Sequence, residues 1–196
     1  LKKRFKWRPA LGRWQLYQSA KLLWSNPAPT EAVHLDCPTP LLRKPIVSSV
    51  KIDIYNHVMP PAYVELVKTH GKEPGMVKRM SQLRMLWDMP ARVAMLDQFP
   101  DVQQIISLAV PSPDMLGGPD DSPAYARVAN EGMADICRQW PHKFPGFVAS
   151  LPMNNPEAAL KEMDFAIDQL GAKGVQILTS VNGRAMDSAE FFTVFE

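Results

Sequence analysis

The chain has 196 residues, 46% of them apolar, and a formal net charge of only +2. That is enough apolar material for a core, yet no apolar run approaches the roughly 18 residues needed to span a bilayer, which excludes a membrane-spanning helix. Two cysteines, Cys37 and Cys137, lie in unrelated contexts with no C-x-x-C spacing, which excludes a disulfide scaffold and a zinc ribbon and points to a reducing, cytoplasmic setting.

The small net charge hides an asymmetry. Residues 1–50 hold nine Lys and Arg against two acids, Glu31 and Asp36, whereas the remainder holds 13 basic and 18 acidic residues. The basic character belongs to the first segment alone, so no nucleic-acid partner is expected for the main domain. Trp7, Leu11, Trp14, Tyr17 and Leu22 to Trp24 can form an amphipathic helix among basic residues, readable as a targeting peptide, a membrane-surface helix or a stretch outside any folded domain. Prolines at 27, 29, 38, 40 and 45 then exclude a regular helix. The expectation is a basic, irregular leader and linker over residues 1–50 and a folded domain over residues 51–196.

From Lys51 strands alternate with helices. The run from Lys51 to Pro61 reads as a short strand that ends in a histidine and is stopped by two prolines. Plain alternation places Ile52, Ile54 and Val58 on one face and Asp53, Tyr55 and His57 on the other. An excursion follows over residues 62–89, broken at Gly71, Pro74 and Gly75, with a helical piece through Met80, Leu83 and Leu86. A helix over about residues 90–98 leads to the second strand, residues 102–110 (VQQIISLAV). Ser122-Pro123 opens the clearest helix, with the serine hydroxyl as its cap. Its apolar face is Tyr125, Val128, Ala129, Gly132, Met133, Ile136, Cys137 and Trp140. The third strand is expected over residues 144–153. Asn155-Pro156 starts a helix that turns Ala159, Leu160, Met163, Ile167 and Leu170 inward and stops at Gly171. Residues 172–179 (AKGVQILT) form the fourth strand, followed by a loop with Asn182-Gly183 and a helix start near Ser188.

Four strand-helix units in series call for an α/β fold with a parallel sheet. An eight-unit barrel needs roughly 250 residues, so residues 51–196 read as the first half of a TIM-type (β/α)8 barrel. A complete flavodoxin-like doubly wound domain is the alternative, weakened by the lack of a glycine-rich phosphate loop.

In either architecture the functional edge is the carboxyl end of the strands. His57 sits there, with Tyr55 two residues deeper on the same expected face. Such a pair can offer an imidazole and a phenol to one metal ion, or His57 can be a hydrogen-bonded structural residue. His34, His70 and His142 read as solvated or structural. Arg79, Arg84 and Arg92 lie near the first excursion, where a guanidinium fork could receive a carboxylate; for Arg92 the expectation is a solvated helix face. No serine or cysteine stands in a nucleophile arrangement.

Lys51 to Pro61 resembles the Ile-Asp-x-His-x-His-x-x-Pro opening of the amidohydrolase superfamily, in the branch of aminocarboxymuconate-semialdehyde decarboxylase and related carboxy-lyases. Trp87-Asp88, Arg92 with Leu96-Asp97, Asn130, Pro141 with Phe144, Leu151-Pro152-Met153, Pro156 to Ala159, Leu170-Gly171, Gly174 to Ile177 and Phe191 to Glu196 continue the likeness in order. The resemblance implies a distorted (β/α)8 barrel with a divalent metal, usually zinc, and no organic cofactor, acting on an aromatic or unsaturated carboxylic acid; a homodimer is a further expectation. By position His57 is the second metal ligand of the first strand, and Tyr55 stands where the first histidine of the pair is found. The remaining ligands and the catalytic histidine are expected beyond Glu196, so that the chain expressed alone should lack activity. Arg79 or Arg84 is nearest to an arginine that contacts the substrate carboxylate in some members. The alternatives are a hydrolase of the same fold, acting on a lactone or C–N bond, and a metal-free binding protein.

Overall fold

The structure is a computed structural model that describes residues 49–195. The basic leader, with His34 and Cys37, therefore lies outside the described residues but for Ser49 and Val50.

The first strand forms in two pieces, β1 (Lys51–Asp53) and β2 (His57–Val58). Pro61 occupies the first turn of helix α1 (Pro61–His70), where a missing N–H leaves nothing unsatisfied, and the helix buries Tyr63 and Val67, one turn apart. The expected single helical piece in the excursion is broken at Leu83 into α2 (Pro74–Gln82) and α3 (Arg84–Trp87). Helix α4 (Met89–Leu96) follows, capped by Asp88, whose Oδ1 accepts from the Ala91 N–H at 3.0 Å. Next come β3 (Val102–Leu108), the short α5 (Pro113–Leu116) and the long α6 (Ser122–Gln139). The third strand is again divided, into β4 (Gly146–Phe147) and β5 (Ala149–Ser150), and α7 (Pro156–Asp168) leads to β6 (Val175–Gln176). A hairpin, β7 (Ser180–Val181) and β8 (Arg184–Ala185), turns at Asn182-Gly183, and a 3-10 helix covers Ala189–Val194.

Strand β3 pairs in parallel with β1 and β2 on one side and with β4 on the other, while β5 pairs in parallel with β6. The strands thus stand side by side in sequence order, as in a (β/α)8 barrel. In the flavodoxin-like order the first strand would lie between the second and third, so the doubly wound alternative is excluded.

The register of the first strand overturns the simple alternation. Asp53 pairs with Gln104 and His57 with Ser107, so four steps along the first strand match three along β3. One residue is inserted between Ile54 and Asn56, a bulge that reverses the parity of the strand. Asp53 consequently shares the face of Gln104, whereas His57 shares the opposite face with Ser107. The expected set of Asp53, Tyr55 and His57 is therefore split, and Ile52 and Ile54 are exposed while Val58 is fully buried. Local hydrogen bonds shape the bulge. The Tyr55 N–H donates to Asp53 Oδ1 at 3.0 Å, and Asn56 Nδ2 donates to the Asp53 and Ile105 carbonyls, each at 3.0 Å. These replace ladder bonds that the extra residue removes.

Arg92 holds this arrangement, contrary to the solvated face expected for it. It is 5% exposed. Nη1 donates to the His57 carbonyl at 2.7 Å and to the Met85 carbonyl at 3.1 Å. Nη2 donates to Asn56 Oδ1 at 2.8 Å, and both Nη2 and Nε donate to Gln104 Oε1 at 2.8 and 3.0 Å. All five guanidinium N–H groups are satisfied. Gln104 in turn donates from Nε2 to Asp53 Oδ2 at 2.9 Å, so one amide links the buried cation to its carboxylate. Burial lowers the guanidinium pKa from its ordinary value and the Asp53 charge opposes that shift.

Two helices differ in detail from expectation. Ser122 is the first residue of α6 rather than its cap, and its Oγ donates to Asn154 Oδ1 at 2.6 Å. The inward face of α7 is Ala159, Glu162 and Ala166, with Ile167 43% exposed. Glu162 turns inward because Asn130 and Arg127 both donate to it, at 2.8 and 2.9 Å. The Asn155 cap, accepting from the Ala158 N–H, and the Gly171 stop, at φ 76°, agree with the reading of the sequence. Gly132 lets α6 approach Pro60 closely: a Cβ there would lie 2.4 Å from Pro60 Cβ.

Removing the guanidinium strands Asn56 Oδ1 and Gln104 Oε1, buried amide oxygens for which it is the donor among the described residues. Arg92→Ala is expected to lower the unfolding free energy by roughly 3–5 kcal/mol, read from urea titration. A loss below about 1 kcal/mol would mean that the bulge holds itself. Gly132→Ala is expected to cost roughly 1–3 kcal/mol by forcing α6 off Pro60.

Candidate metal centre and substrate hollow

The carboxyl ends of the strands border an open hollow of about 900 Å³. Tyr55 and His57 line it from the first strand, Leu108 to Val110 from the end of β3, and Gln176 to Ser180 from the end of β6 and the stretch after it. Met80, Leu83 and Leu86 close one side, so the excursion after the first strand contributes an apolar wall.

His57 is half-buried, and Tyr55 is 85% exposed beside it, with ring centroids 5.5 Å apart in an edge-on arrangement. The structure thus keeps Tyr55 and His57 together and removes Asp53 to the far side of the sheet. His57 Nδ1 lies 2.7 Å from Ser107 Oγ, while no group among the described residues hydrogen-bonds Nε2. One imidazole nitrogen is therefore committed to the sheet and the other is available to a ligand. Among the described residues no three His, Cys, Asp or Glu side chains cluster closely enough to hold a metal ion. The donors present fit one corner of a metal centre, not a whole one.

Arg79 and Arg84, on α2 and α3, are exposed and do not line the hollow. Arg84 Nε is engaged by Asp88 Oδ2 at 2.7 Å. With the N–H of Ala91 as the larger cause and Arg84 as the second, the Asp88 carboxyl is held below its usual range. His142 is exposed before the third strand, where its carbonyl accepts from Gln103 Nε2, and exposed His70 packs its ring 5.2 Å from that of Tyr125. Neither lines the hollow. Burial pushes the Cys137 thiol up to about 11, consistent with an unreactive cysteine.

Sequence reasoning did not single out Asp114. It is 5% exposed, on α5, and lines both the hollow and a small adjoining cavity of about 20 Å³. Gln176 Oε1, on the wall of that cavity, is buried with no hydrogen-bond partner among the described residues. Burial raises the Asp114 carboxyl pKa above its ordinary value. Only its place after the second strand, at the functional edge, marks it in the sequence.

Residues 52–196 match the amidohydrolase family. A decarboxylase of Aspergillus niger, yanB, is 33% identical over 137 residues, covering 68% of this chain and 36% of that protein. The 2-amino-3-carboxymuconate-6-semialdehyde decarboxylase of Dictyostelium discoideum is 28% identical over 167 residues, covering 76% of this chain and 45% of that protein. Among solved structures, dihydroxybenzoic acid decarboxylase from Polaromonas, with bound manganese and the inhibitor 2-nitroresorcinol, superposes with a TM-score of 0.60 at 25% identity, over 75% of this chain and 45% of that one. The chain spans less than half the length of each of these proteins.

The raised Asp114 pKa has a definite consequence. Below about pH 3.9 the carboxyl is neutral in both folded and unfolded chains and carries no penalty. As pH rises through that value toward the higher folded pKa, the unfolded chain ionises first and stability falls. Asp114→Asn is expected to be more stable than the parent at pH 7 and to lose that advantage near pH 3. Parallel urea titrations at the two pH values check this, and an unchanged gap would refute it.

Proposed function

Because the chain belongs to the amidohydrolase family, we propose that the protein is a metal-dependent carboxy-lyase that removes CO2 from an aromatic or unsaturated carboxylic acid without an organic cofactor. The observation that carries this reading is His57 at the strand end, lining the hollow, with Nδ1 held by the sheet and Nε2 without a hydrogen-bond partner among the described residues. The relatives named above, all decarboxylases, support the reaction class, and the manganese in the Polaromonas enzyme supports a divalent ion.

In this reading His57 supplies one ligand and Tyr55 stands beside it, with the rest of the ligand set supplied from outside the described residues. A bound divalent ion, manganese or zinc, would supply Lewis acidity to the substrate and its bound water. The chain's own residues do the rest of what is proposed here. Met80, Leu83 and Leu86 offer the flat substrate an apolar wall. Asp114 brings a buried carboxyl to the hollow, and burial biases it toward the protonated form that can donate a hydrogen bond to a substrate oxygen. Arg79 or Arg84 receives the substrate carboxylate, which requires the excursion that carries them to turn a guanidinium toward the hollow.

The intact protein is expected to hold about one divalent ion per chain and to release CO2 from a hydroxylated benzoate or a related unsaturated acid. His57→Ala should lower metal affinity at least 10- to 100-fold and abolish turnover. Metal content unaffected by His57→Ala, measured by elemental analysis after dialysis, would sink the assignment. For the arginines, Arg79→Gln or Arg84→Gln should raise KM by about tenfold, the worth of one charge-assisted hydrogen bond. If neither does, the carboxylate is received elsewhere.

A further inference from the structure

We propose that Ser107 is a positioning residue that locks the neutral His57 ring as its Nδ1–H tautomer and so presents the Nε2 lone pair to the hollow. The role toward a metal rests on the reading of His57 as a ligand given above; the lock itself does not.

The deduction uses the proton count of one hydroxyl. Ser107 Oγ lies 2.7 Å from the Asn56 carbonyl oxygen and 2.7 Å from His57 Nδ1. A carbonyl has no proton, so the first contact is a hydrogen bond only if the hydroxyl donates to it. That uses the single proton Ser107 has. Toward His57 the oxygen can only accept, and Nδ1 must therefore carry the hydrogen. In the neutral ring the electron pair is then on Nε2, the nitrogen without a partner among the described residues.

The surroundings make the direction of this chain hard to reverse. Ser107 is 6% exposed, in the middle of the parallel sheet, directly opposite His57 in register. Asn56, whose carbonyl takes the hydroxyl proton, is 9% exposed and fixed by its own side chain. Its Nδ2 bonds two backbone carbonyls, and its Oδ1 takes a hydrogen bond from Arg92 Nη2. Arg92 Nη1 also grips the carbonyl of His57 itself. The acceptor for Ser107 and the backbone of His57 are thus anchored by one guanidinium, and the hydroxyl between them has one arrangement that satisfies both contacts. A free neutral imidazole samples both tautomers; a ring locked this way is ready to ligate through Nε2 with no rearrangement.

The test is a long-range proton–nitrogen NMR spectrum of the metal-free intact protein carrying nitrogen-15 histidine. Recorded at a pH above which the ring signals no longer change, it sees the neutral ring. The His57 signals are assigned by their loss in His57→Gln. In the parent protein Nδ1 should have the shift of a protonated ring nitrogen and Nε2 that of an unprotonated one. Ser107→Ala should move both toward the average of a tautomer mixture, and Ser107→Thr, which keeps the hydroxyl, should restore the parental pattern. Manganese affinity should follow the same order, falling about 10- to 100-fold in Ser107→Ala and recovering in Ser107→Thr. A folded Ser107→Ala that keeps the parental nitrogen shifts would overturn the lock, even where manganese still binds. Conversely, a tautomer shift in a protein whose parent form takes up no manganese would uphold the lock and overturn the metal reading.

Discussion

The buried guanidinium of Arg92 is the constraint on which the functional edge depends. An arginine taken out of water is tolerated only if every N–H is used and its charge is compensated. Here the acceptors are the His57 and Met85 carbonyls, Asn56 Oδ1 and Gln104 Oε1, and Gln104 passes the interaction on to Asp53. The cation therefore does more than stabilise α4 against the sheet. It ties together both sides of the bulge between β1 and β2, which decides that His57 faces the hollow and Asp53 does not.

A second buried amide serves the other divided strand. Asn130, fully buried on α6, donates from Nδ2 to the Ser150 carbonyl and accepts on Oδ1 from the Ser150 N–H. It behaves toward β5 as a neighbouring strand would, next to the break at Val148. Glu162 accepts from the same Nδ2, which orients α7 and explains why a glutamate, not Ile167, takes the inward position. In both places a strand is interrupted near the functional edge, and a polar side chain from the helical layer supplies bonds in place of the ladder. Interrupted strands of this kind re-aim side chains at the strand ends, where the chemistry of a barrel is found.

His57 gains its proposed character from that scaffold, not from its sequence neighbours. Tyr55 lies edge-on beside the ring in the open, but the contact that orients the ring comes from Ser107, fifty residues away in the chain. Asp114, likewise remote in sequence, brings a carboxyl with raised pKa to the same hollow. The hollow is lined mainly by apolar side chains, with few polar groups converging on it, which supports the flat organic acid proposed as substrate.

The sequence by itself determined the alternating series of strands and helices, because most of its elements are bounded by local chemistry. Pro61, Asn155 and Gly171 act within a turn of where they stand, and the apolar period of α6 needs no partner to be read. The same local signals, taken in order, carried the family likeness and placed His57 at a strand end. Only the tertiary structure decided which way that strand faces. Alternation is a property of an unbroken ladder, and the extra residue between Ile54 and Asn56 is visible only once Asp53 and His57 are paired with Gln104 and Ser107. Arg92 looked like a surface charge for the same reason: its acceptors lie on three separate segments of chain, and nothing in a linear pattern announces that they will converge around one guanidinium.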